Sequence, residues 1–212
     1  PENAQTTNQL SDDVDFKITS EVQAQVDDVM ANSIRDEKKW RNTLFNDRSS
    51  VIRQLIAKIA TVESVNQLAD DLDKTLTDAR LQLNTIERLI ATPKVMPGPT
   101  GESNTLHLEP RGCVVCYADK DTSVNFWVLS IVTALATGNT VITVVSDLFY
   151  QEALAFRDML LSTGVAAGVL QVAKLNQLTA ILAHPHLAGA VIGSGCEHKS
   201  FVNTQLAARK GA

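Results

Sequence analysis

Aromatic side chains are scarce in this chain of 212 residues, which holds six Phe, two Trp and two Tyr. Surfaces that bind single-stranded nucleic acid stack bases on exposed aromatic rings, so this scarcity argues against such a surface, and Trp40 and Trp127 are expected to be packing residues. Basic clusters are also lacking, because 19 Lys and Arg are outnumbered by 24 Asp and Glu, for a net charge of −5. Since sequence-independent nucleic-acid binding depends on phosphate neutralisation, we expect no nucleic-acid partner for this segment.

Long apolar runs and a cysteine framework are lacking too. The longest uncharged apolar stretch, Phe126 to Ala136, is far shorter than the roughly 20 residues that span a bilayer, so no transmembrane segment is predicted. The first ten residues have neither a basic start nor an apolar stretch, so no signal peptide is visible. Three Cys cannot all pair with one another, which favours a reducing, cytoplasmic location. Because the chain begins at Pro1 rather than Met, we expect a piece of a longer protein.

The distribution of charge divides the chain into two parts. Residues 1–97 hold 28 of the 43 charged side chains, whereas residues 98–212 hold only 15. Solvated helices are therefore expected in the first part and a more buried unit in the second. We interpret residues 1–18 as a polar lead-in, residues 19–97 as a helical segment and residues 98–212 as an α/β unit, with residues 19–212 expected to form one compact domain.

Three helix patterns are present in the first part. Apolar residues recur there at three- and four-residue steps, which is typical of one buried helix face. Ser20 is the expected N-cap of the first helix, a break at residues 46–50 precedes the second, and the third ends before Pro93. Residues 93–104 are expected to be irregular, because prolines and glycines interrupt them. The positions predicted to face inward are Val22, Val26, Val29, Met30 and Ile34, then Val51, Ile52, Leu55, Ile56 and Ile59, then Leu68, Leu72, Leu76, Ala79, Leu83, Ile86 and Ile90.

The second part alternates short apolar runs with helical patterns. Val141–Val145 is β-branched throughout and is the clearest strand signal in the chain. Alternating strands and helices with short turns favour an α/β fold with a Rossmann-like parallel sheet that helices cover on both faces. The predicted strands are residues 112–117, 141–145, 169–173 and 188–192, and the predicted helices are residues 123–137, 148–162, 175–183 and 199–209, with a left-handed turn at Gly138 and a helix stop at Gly164.

Cys113 and Cys116 have the spacing of a zinc-binding thiolate pair. On a strand, however, residues three apart point to opposite faces of the sheet, so these two sulfurs could not meet one metal ion. Structural zinc needs four ligands, and Cys196 is 80 residues further along the chain. We therefore predict buried apolar cysteines and no metal site.

The histidines offer two further candidates. His184 and His186 flank a proline and could ligate a metal, but no acidic or thiol partner is near in sequence, and a loop is the simpler interpretation. Cys196 and His198 resemble a thiol–imidazole pair, yet a catalytic pair needs partners that the fold brings together, and close neighbours rarely face each other usefully. His107 supports no argument of its own. No catalytic residue is predicted.

Residues 193–195, Gly-Ser-Gly, follow a predicted strand and precede a predicted helix. A phosphate group meets backbone N–H groups and a helix N-terminus at such a place. The spacing of the dinucleotide fingerprint is absent, and glycines also simply turn chains. From these residues alone, the sequence predicts an α/β domain without a named reaction.

Several strings resemble the aldehyde dehydrogenase superfamily, in the order in which that family has them. The similarity covers roughly residues 20–210. Residues 96–104 and 207–211 also resemble proline utilization A, a family of bifunctional flavoenzymes that join a proline dehydrogenase to a glutamate-semialdehyde dehydrogenase. The superfamily strings are Trp40 with Arg48 eight positions later, residues 110–112, residues 134–141, residues 168–172, His184-Pro185 and residues 191–194.

The sequence departs from this family at the positions that the resemblance assigns to NAD. A Lys-Pro-Ser-Glu string, whose lysine contacts the adenosine ribose, is replaced by residues 144–147, which begin with Val. The Trp-Asn loop of the substrate entrance is replaced by residues 118–123. His198 stands in place of the second glycine of the phosphate loop, so Gly193 and Ser194 are vestigial positions. The chain also stops before the region of the family's general-base Glu and nucleophilic Cys.

The resemblance implies a non-catalytic accessory domain of an enzyme that oxidises proline to glutamate. Such a domain would cover the cavity and tunnel that pass the pyrroline-carboxylate/glutamate-semialdehyde intermediate between two active sites. FAD and NAD would be bound by the catalytic domains of the same polypeptide, and this segment would bind no cofactor. The parent protein would be a homo-oligomer. Two alternatives remain open: the NAD-binding half of a divergent active aldehyde dehydrogenase, and a stand-alone interaction scaffold with only fold similarity.

Overall fold

The structure of the chain, a computed structural model, describes residues 17–60 and 72–209. Three parts of the sequence predictions lie outside these ranges. They are the inward position Leu68, most of the lead-in at residues 1–18, and residues 210–211 of the string at residues 207–211. Within them, no helix combines the length and the apolar character needed to cross a bilayer.

The first helix, α1, spans Ser20–Arg41 and is capped by Thr19 rather than by the predicted Ser20. The Thr19 hydroxyl accepts a hydrogen bond from the Val22 N–H at 3.2 Å, which satisfies one of the free donors of the first turn. Ile34, predicted to face inward, is 39% exposed. Ser33 takes the inward position instead, because its hydroxyl lies 2.6 Å from that of Thr140 on the sheet.

The second and third helices, α2 and α3, pack against each other beside the sheet. Helix α2 spans Phe45–Ile59, so the predicted break at residues 46–50 is wrong. These polar residues form its first turns, where Arg48 and Ser49 are buried. Helix α3 spans Leu72–Ile90. The predicted inward face is confirmed for Ile52, Leu55, Ile56, Ile59, Leu76, Ala79, Leu83 and Ile86, which are buried, while Val51, Leu72 and Ile90 are partly buried.

A short antiparallel hairpin occupies the segment that was predicted to be irregular. Strand β1 spans Lys94–Met96 and strand β2 spans Asn104–Leu106, with Lys94 opposite Leu106. All six residues are exposed. Strands of three residues with no buried face leave no alternation to detect, and Pro97 and Pro99 lie in the connecting loop.

The main sheet has four parallel strands in the spatial order β5-β4-β3-β6. Each predicted strand is confirmed to within two residues. The first strand along the chain, β3, is central, the next two extend the sheet on one side, and β6 returns to the other side, as in the Rossmann fold. The direction of winding therefore reverses between β3 and β6. The strands are β3 Cys113–Ala118, β4 Thr140–Val145, β5 Leu170–Lys174 and β6 Leu187–Val191.

Four more helices connect and follow these strands, close to the predicted positions. Gly138 and Gly164 both have φ of +87°, which confirms the two left-handed helix ends. The predicted helix over residues 175–183 begins as a 3₁₀ turn at Leu175–Gln177, and another such turn, Ala167–Val169, leads into β5. The helices are α4 Val124–Ala136, α5 Asp147–Leu161, α6 Leu178–Ala183 and α7 Lys199–Ala207.

Both faces of the sheet are covered, as the doubly wound prediction requires. One face packs against α2, α3, α4 and α5 around Trp127. The other face packs against α1, α6 and α7 around Tyr117. The predicted α/β fold with a helix-covered parallel sheet is therefore confirmed.

Candidate functional site

Two loops meet at the carboxyl end of the sheet, where the winding reverses. Residues 119–123 follow β3, and residues 192–198 follow β6 and lead into α7. In open parallel sheets, ligands bind outside the carboxyl ends of the strands at this switch point. We therefore take these two loops, which contain the predicted vestigial positions Gly193 and Ser194, as the candidate site.

Asp119 joins the two loops. Its side chain is fully buried. Within its own loop, Oδ1 accepts hydrogen bonds from the Asp121 N–H and the Thr122 hydroxyl, each at 3.0 Å. Across the crevice between the two loops, Oδ2 accepts a hydrogen bond from the Glu197 N–H at 2.9 Å. A buried carboxylate is costly unless donors surround it, and here both loops supply them.

Two further contacts cross the same crevice. The Thr122 hydroxyl lies 3.2 Å from Cys196 Sγ. Nearer the solvent, Lys120 Nζ lies 3.2 Å from Glu197 Oε2, with both side chains about half exposed. Such an exposed ion pair contributes little to stability, so Asp119 is the stronger link between the loops.

Tyr117 and His198 close the inner end of the crevice. Tyr117 is fully buried, and its hydroxyl lies 2.6 Å from His198 Nδ1. Burial raises the pKa of Tyr117, so the phenol stays protonated at neutral pH. The imidazole at the position that the resemblance assigns to a glycine is thus engaged with the core. Cys196 and His198 contact Thr122 and Tyr117 respectively, so the structure does not bring them together as a catalytic pair.

The positions that the resemblance assigns to the ribose contact lie at the end of β4. Val144 is fully buried and packs in the same cluster as Tyr117. Ser146 is 2% exposed, and its hydroxyl has no hydrogen-bond partner in the described part of the chain. Asp147 begins α5 at the surface. An apolar side chain packed into the core therefore stands where a ribose-contacting lysine was expected.

The three cysteines are buried and separate. Cys113 packs on the α1 face of the sheet and Cys116 on the α4 face, so the two thiols point apart as predicted. Burial raises the pKa of all three thiols, that of Cys116 to about 12. Among residues 17–60 and 72–209, no group of three or more His, Cys, Asp and Glu side chains could hold a metal ion.

The remaining histidines lie in loops. His184 and His186 connect α6 to β6 with ring centroids 5.7 Å apart, and burial lowers the pKa of His184. The Arg209 guanidinium donates to the His184 carbonyl at 3.2 Å, which fastens the loop to the end of α7. His107 Nε2 lies 3.0 Å from the exposed hydroxyl of Thr105.

Both tryptophans are packing residues in the structure, as predicted. Trp127 is fully buried, donates from Nε1 to the Thr143 hydroxyl at 2.8 Å, and meets the Phe149 ring edge-on at 5.5 Å. Trp40 is 5% exposed, and its Nε1 has no hydrogen-bond partner among the described residues.

Sequence reasoning gave no role to Asp119, Thr122 or Tyr117. One signal was available, since Asp119 directly follows a predicted buried strand, where ligand-facing side chains of parallel sheets lie. Its partner Glu197 is 78 positions away, and only the strand order places β6 beside β3.

Comparison with known proteins agrees with this architecture. The solved structure of a proline utilization A variant from Bradyrhizobium japonicum is similar, with a TM-score of 0.77 and 24% identity over 92% of this chain and 22% of that chain. The structure of a putative aldehyde dehydrogenase from Burkholderia cenocepacia is similar with a TM-score of 0.71 and 22% identity, over 80% of this chain and 38% of that chain. The structure of PnpE in complex with nicotinamide adenine dinucleotide is similar with a TM-score of 0.70 and 20% identity, over 79% of this chain and 38% of that chain. No curated protein matches the chain.

These structural likenesses show a shared fold. The chain spans 22% of the length of the proline utilization A structure that it matches. The sequence model of the aldehyde dehydrogenase family matches residues 2–194, which is most of the chain. The resemblance that the strings indicated is thereby confirmed, and the chain belongs to the aldehyde dehydrogenase family.

Proposed function

We propose that residues 19–212 act as one non-catalytic aldehyde-dehydrogenase-like domain that docks on the catalytic domains of a larger proline utilization A polypeptide. The observation that carries the proposal is the contact between the two loops at the switch point, where Asp119 Oδ2 accepts from the Glu197 N–H and the Tyr117 hydroxyl lies 2.6 Å from His198 Nδ1. Support also comes from the fold likeness, which covers 92% of this chain but 22% of the proline utilization A structure. In that role the domain would be a rigid part of an enzyme that oxidises proline to glutamate.

The proposal includes the loss of NAD binding by this segment. Val144 offers no hydrogen bond to a ribose, and losing one charge-assisted hydrogen bond typically costs about 1.5–3 kcal/mol, or roughly tenfold or more in affinity. His198 fills space that a glycine would leave open, and its imidazole is held by Tyr117. FAD and NAD would then be carried by the catalytic domains.

The exposed hairpin supports the docking part of the proposal. On one face of the hairpin Met96 is 39% and Leu106 49% exposed; on the other face Val95 is 78% exposed, and Leu108, just beyond β2, is 60% exposed. An isolated two-stranded hairpin is marginally stable in water, and clustered exposed apolar side chains mark interaction surfaces. We propose that the occupant of this surface is the aldehyde-dehydrogenase domain of the same polypeptide. The docked segment would cover the cavity that passes the pyrroline-carboxylate/glutamate-semialdehyde intermediate.

Calorimetric titration of the chain with NAD tests the first part. We expect no binding heat up to millimolar NAD. A micromolar dissociation constant would defeat the proposal and support the alternative, the NAD-binding half of a divergent active dehydrogenase. A specific observation favours that alternative: Ser194 remains exposed in the loop before α7, on a fold shared with NAD-bound PnpE.

Substitution of the hairpin in the parent polypeptide tests the second part. The double variant Met96→Asp and Leu106→Asp, which places both charges on one face of the hairpin, should impair the coupled conversion of proline to glutamate and leave isolated proline oxidation mostly intact. Leu89→Asp is the matched control, because Leu89 is 64% exposed on α3. Equal loss of both activities, or no loss of either, would count against docking. Absence of flavin and dehydrogenase domains from the full polypeptide would favour a stand-alone scaffold.

A further inference from the structure

A cavity of about 170 Å³ lies between the end of α1 and the turn that joins α5 to β5. It is at the amino end of β5, whereas the candidate site follows the carboxyl ends of β3 and β6. We infer that this cavity binds a short-chain aliphatic carboxylate and that the Trp40 indole N–H donates a hydrogen bond to that ligand. The inference goes beyond the proposed function and does not depend on it.

The wall of the cavity is largely apolar. Val169, which lines it, is 2% exposed. Val51, Val165 and Ala166 also line it, are partly buried and pack against the same core cluster. Small-molecule sites have such walls, with a few polar groups that orient the ligand. The volume is well below the roughly 300–1,000 Å³ of sites for drug-sized ligands, so the occupant is small.

Trp40 contributes an unused donor to this wall. Its side chain is 5% exposed, and Nε1 has no hydrogen-bond partner among the described residues. The indole nitrogen only donates, so it needs an acceptor that the described residues do not supply. Buried polar groups without a partner are rare in folded proteins, because the unpaired group keeps its desolvation penalty. An acceptor bound in the adjoining cavity removes that penalty.

A surplus of positive charge lies at the rim of the cavity. The carboxylate of Asp36 is already engaged, since Oδ2 accepts from the Gly168 N–H at 2.8 Å. The Arg35 guanidinium donates to both carboxylate oxygens, at 3.0 and 2.9 Å, and this pairing holds the pKa of Asp36 below its usual range. The charge of Asp36 is therefore neutralised locally, and the exposed ammonium of Lys39 remains for a ligand. An anion is favoured over a cation at this rim.

The two hydroxyl groups at the cavity have already used their protons. The Thr43 hydroxyl donates to the carbonyl of Lys39 at 2.9 Å, and the Thr163 hydroxyl donates to that of Leu160 at 2.6 Å. Among the lining side chains of the described structure, Trp40 and Lys39 are thus the donors left for a ligand. A carboxylate offers acceptors to both of them, and an aliphatic chain suits the apolar wall.

Nuclear magnetic resonance of the indole groups tests the inference on the 212-residue chain. The chain has two Trp and so gives two indole N–H signals, and Trp40→Phe assigns them. Trp127 is the internal reference, because its Nε1 already donates to the Thr143 hydroxyl. Sodium isobutyrate is titrated against sodium chloride at equal ionic strength. We expect the Trp40 indole proton to move downfield with a dissociation constant below about 10 mM, while the Trp127 signal stays in place.

Two pairs of variants test the wall and the charge. Ala166→Leu fills part of the cavity, and Ala167→Leu is its matched control at the next, exposed position, which does not line the cavity. We expect Ala166→Leu to weaken isobutyrate binding at least about tenfold and Ala167→Leu less than about twofold. Lys39→Met should weaken it about three- to fivefold without changing the binding of uncharged isobutyramide. Lys38→Met, also exposed but not at the cavity, should change neither.

Three results would overturn the inference. One is a Trp40 signal that does not move at about 50 mM isobutyrate. Another is equal weakening by Ala166→Leu and Ala167→Leu, and the third is isobutyramide that binds to the wild type as tightly as isobutyrate. If Ala166→Leu does not fold, the two lysine variants, both at exposed positions, decide in its place. These results do not bear on NAD binding or hairpin docking, so the inference and the proposed function can fail separately.

Discussion

The guanidinium of Arg48 in α2 donates from Nε to the carbonyl of Ala136, the last residue of α4, at 3.2 Å. Its Nη1 donates to the carbonyls of Arg41 and Thr43, at the end of α1 and in the following turn. Arg48 is 7% exposed, and burial lowers its pKa. One buried side chain thus satisfies backbone acceptors from two helix ends and a turn.

Arg48→Met should destabilise the chain by about 3 kcal/mol, because buried carbonyls left without a donor cost about 1–3 kcal/mol each. Urea unfolding measures this change. Arg53→Met is the control, since Arg53 makes an exposed contact with Glu87 at 3.3 Å, and we expect a loss of less than about 1 kcal/mol. Similar losses in the two variants would show that Arg48 does not connect the helix ends.

The same residue shows why part of the fold was not predictable from the sequence. Residues 46–50 were predicted to be a break because every one of them is polar. In the structure Asn46 and Asp47 face solvent, while the guanidinium of Arg48 donates a hydrogen bond to a carbonyl 88 positions away. A hydrophobicity pattern scores such a side chain as solvent-facing, since the acceptors that bury it come from distant parts of the chain.

Gly168→Ala should destabilise the chain by about 3 kcal/mol or more. A Cβ at this position would lie 2.0 Å from the backbone oxygen of Asn32, so α1 or the start of β5 would have to move. The shift would also disturb the hydrogen bond from the Gly168 N–H to Asp36, now 2.8 Å. Thermal unfolding is the measurement. Gly189→Ala is the control, because nothing lies within 4 Å of its added Cβ, and its melting temperature should stay within a few degrees.

Val144→Lys should destabilise the chain by more than about 3 kcal/mol without restoring NAD binding. The site is fully buried among apolar side chains, so an ammonium group there would be desolvated and unpaired. Leu148→Lys is the matched control, since Leu148 is 53% exposed at the start of α5 and should tolerate the charge. Urea unfolding and NAD titration are the readouts. A stable Val144→Lys protein that binds NAD would refute this expectation.

The thiols of Cys113 and Cys116 should resist alkylation in the folded chain. A cysteine reacts as its thiolate, and burial raises both pKa values above the ordinary range. With a pKa of about 12, Cys116 would be ionised in only about one molecule in ten thousand at pH 8. Mass spectrometry after iodoacetamide treatment should show these two sites unmodified until denaturant is added. A Ser200→Cys variant, with an exposed thiol, should be labelled at once.

The sheet was largely predictable, whereas the site was not. Local sequence signals predicted these elements correctly. The β-branched run Val141–Val145 lies in strand β4, and Gly138 and Gly164 adopt the left-handed conformation that ends a helix. The contact between Asp119 and Glu197 depends on β6 pairing with β3, and local patterns do not record which strands are neighbours. The strings that resemble the aldehyde dehydrogenase family predicted the correct fold. They did not predict the contact between the Asp119 carboxylate and the loop that follows β6.

Helix α1 is held by partners that are synthesised long after it. Its Ser33 contacts Thr140, 107 positions later, and its Gln25 accepts a hydrogen bond from Gln177, 152 positions later. The contacts of α1 can therefore be complete only after residue 177, beyond the end of β5, has been synthesised. Contacts of such long sequence separation slow folding, so we expect the docking of this helix to be a late step.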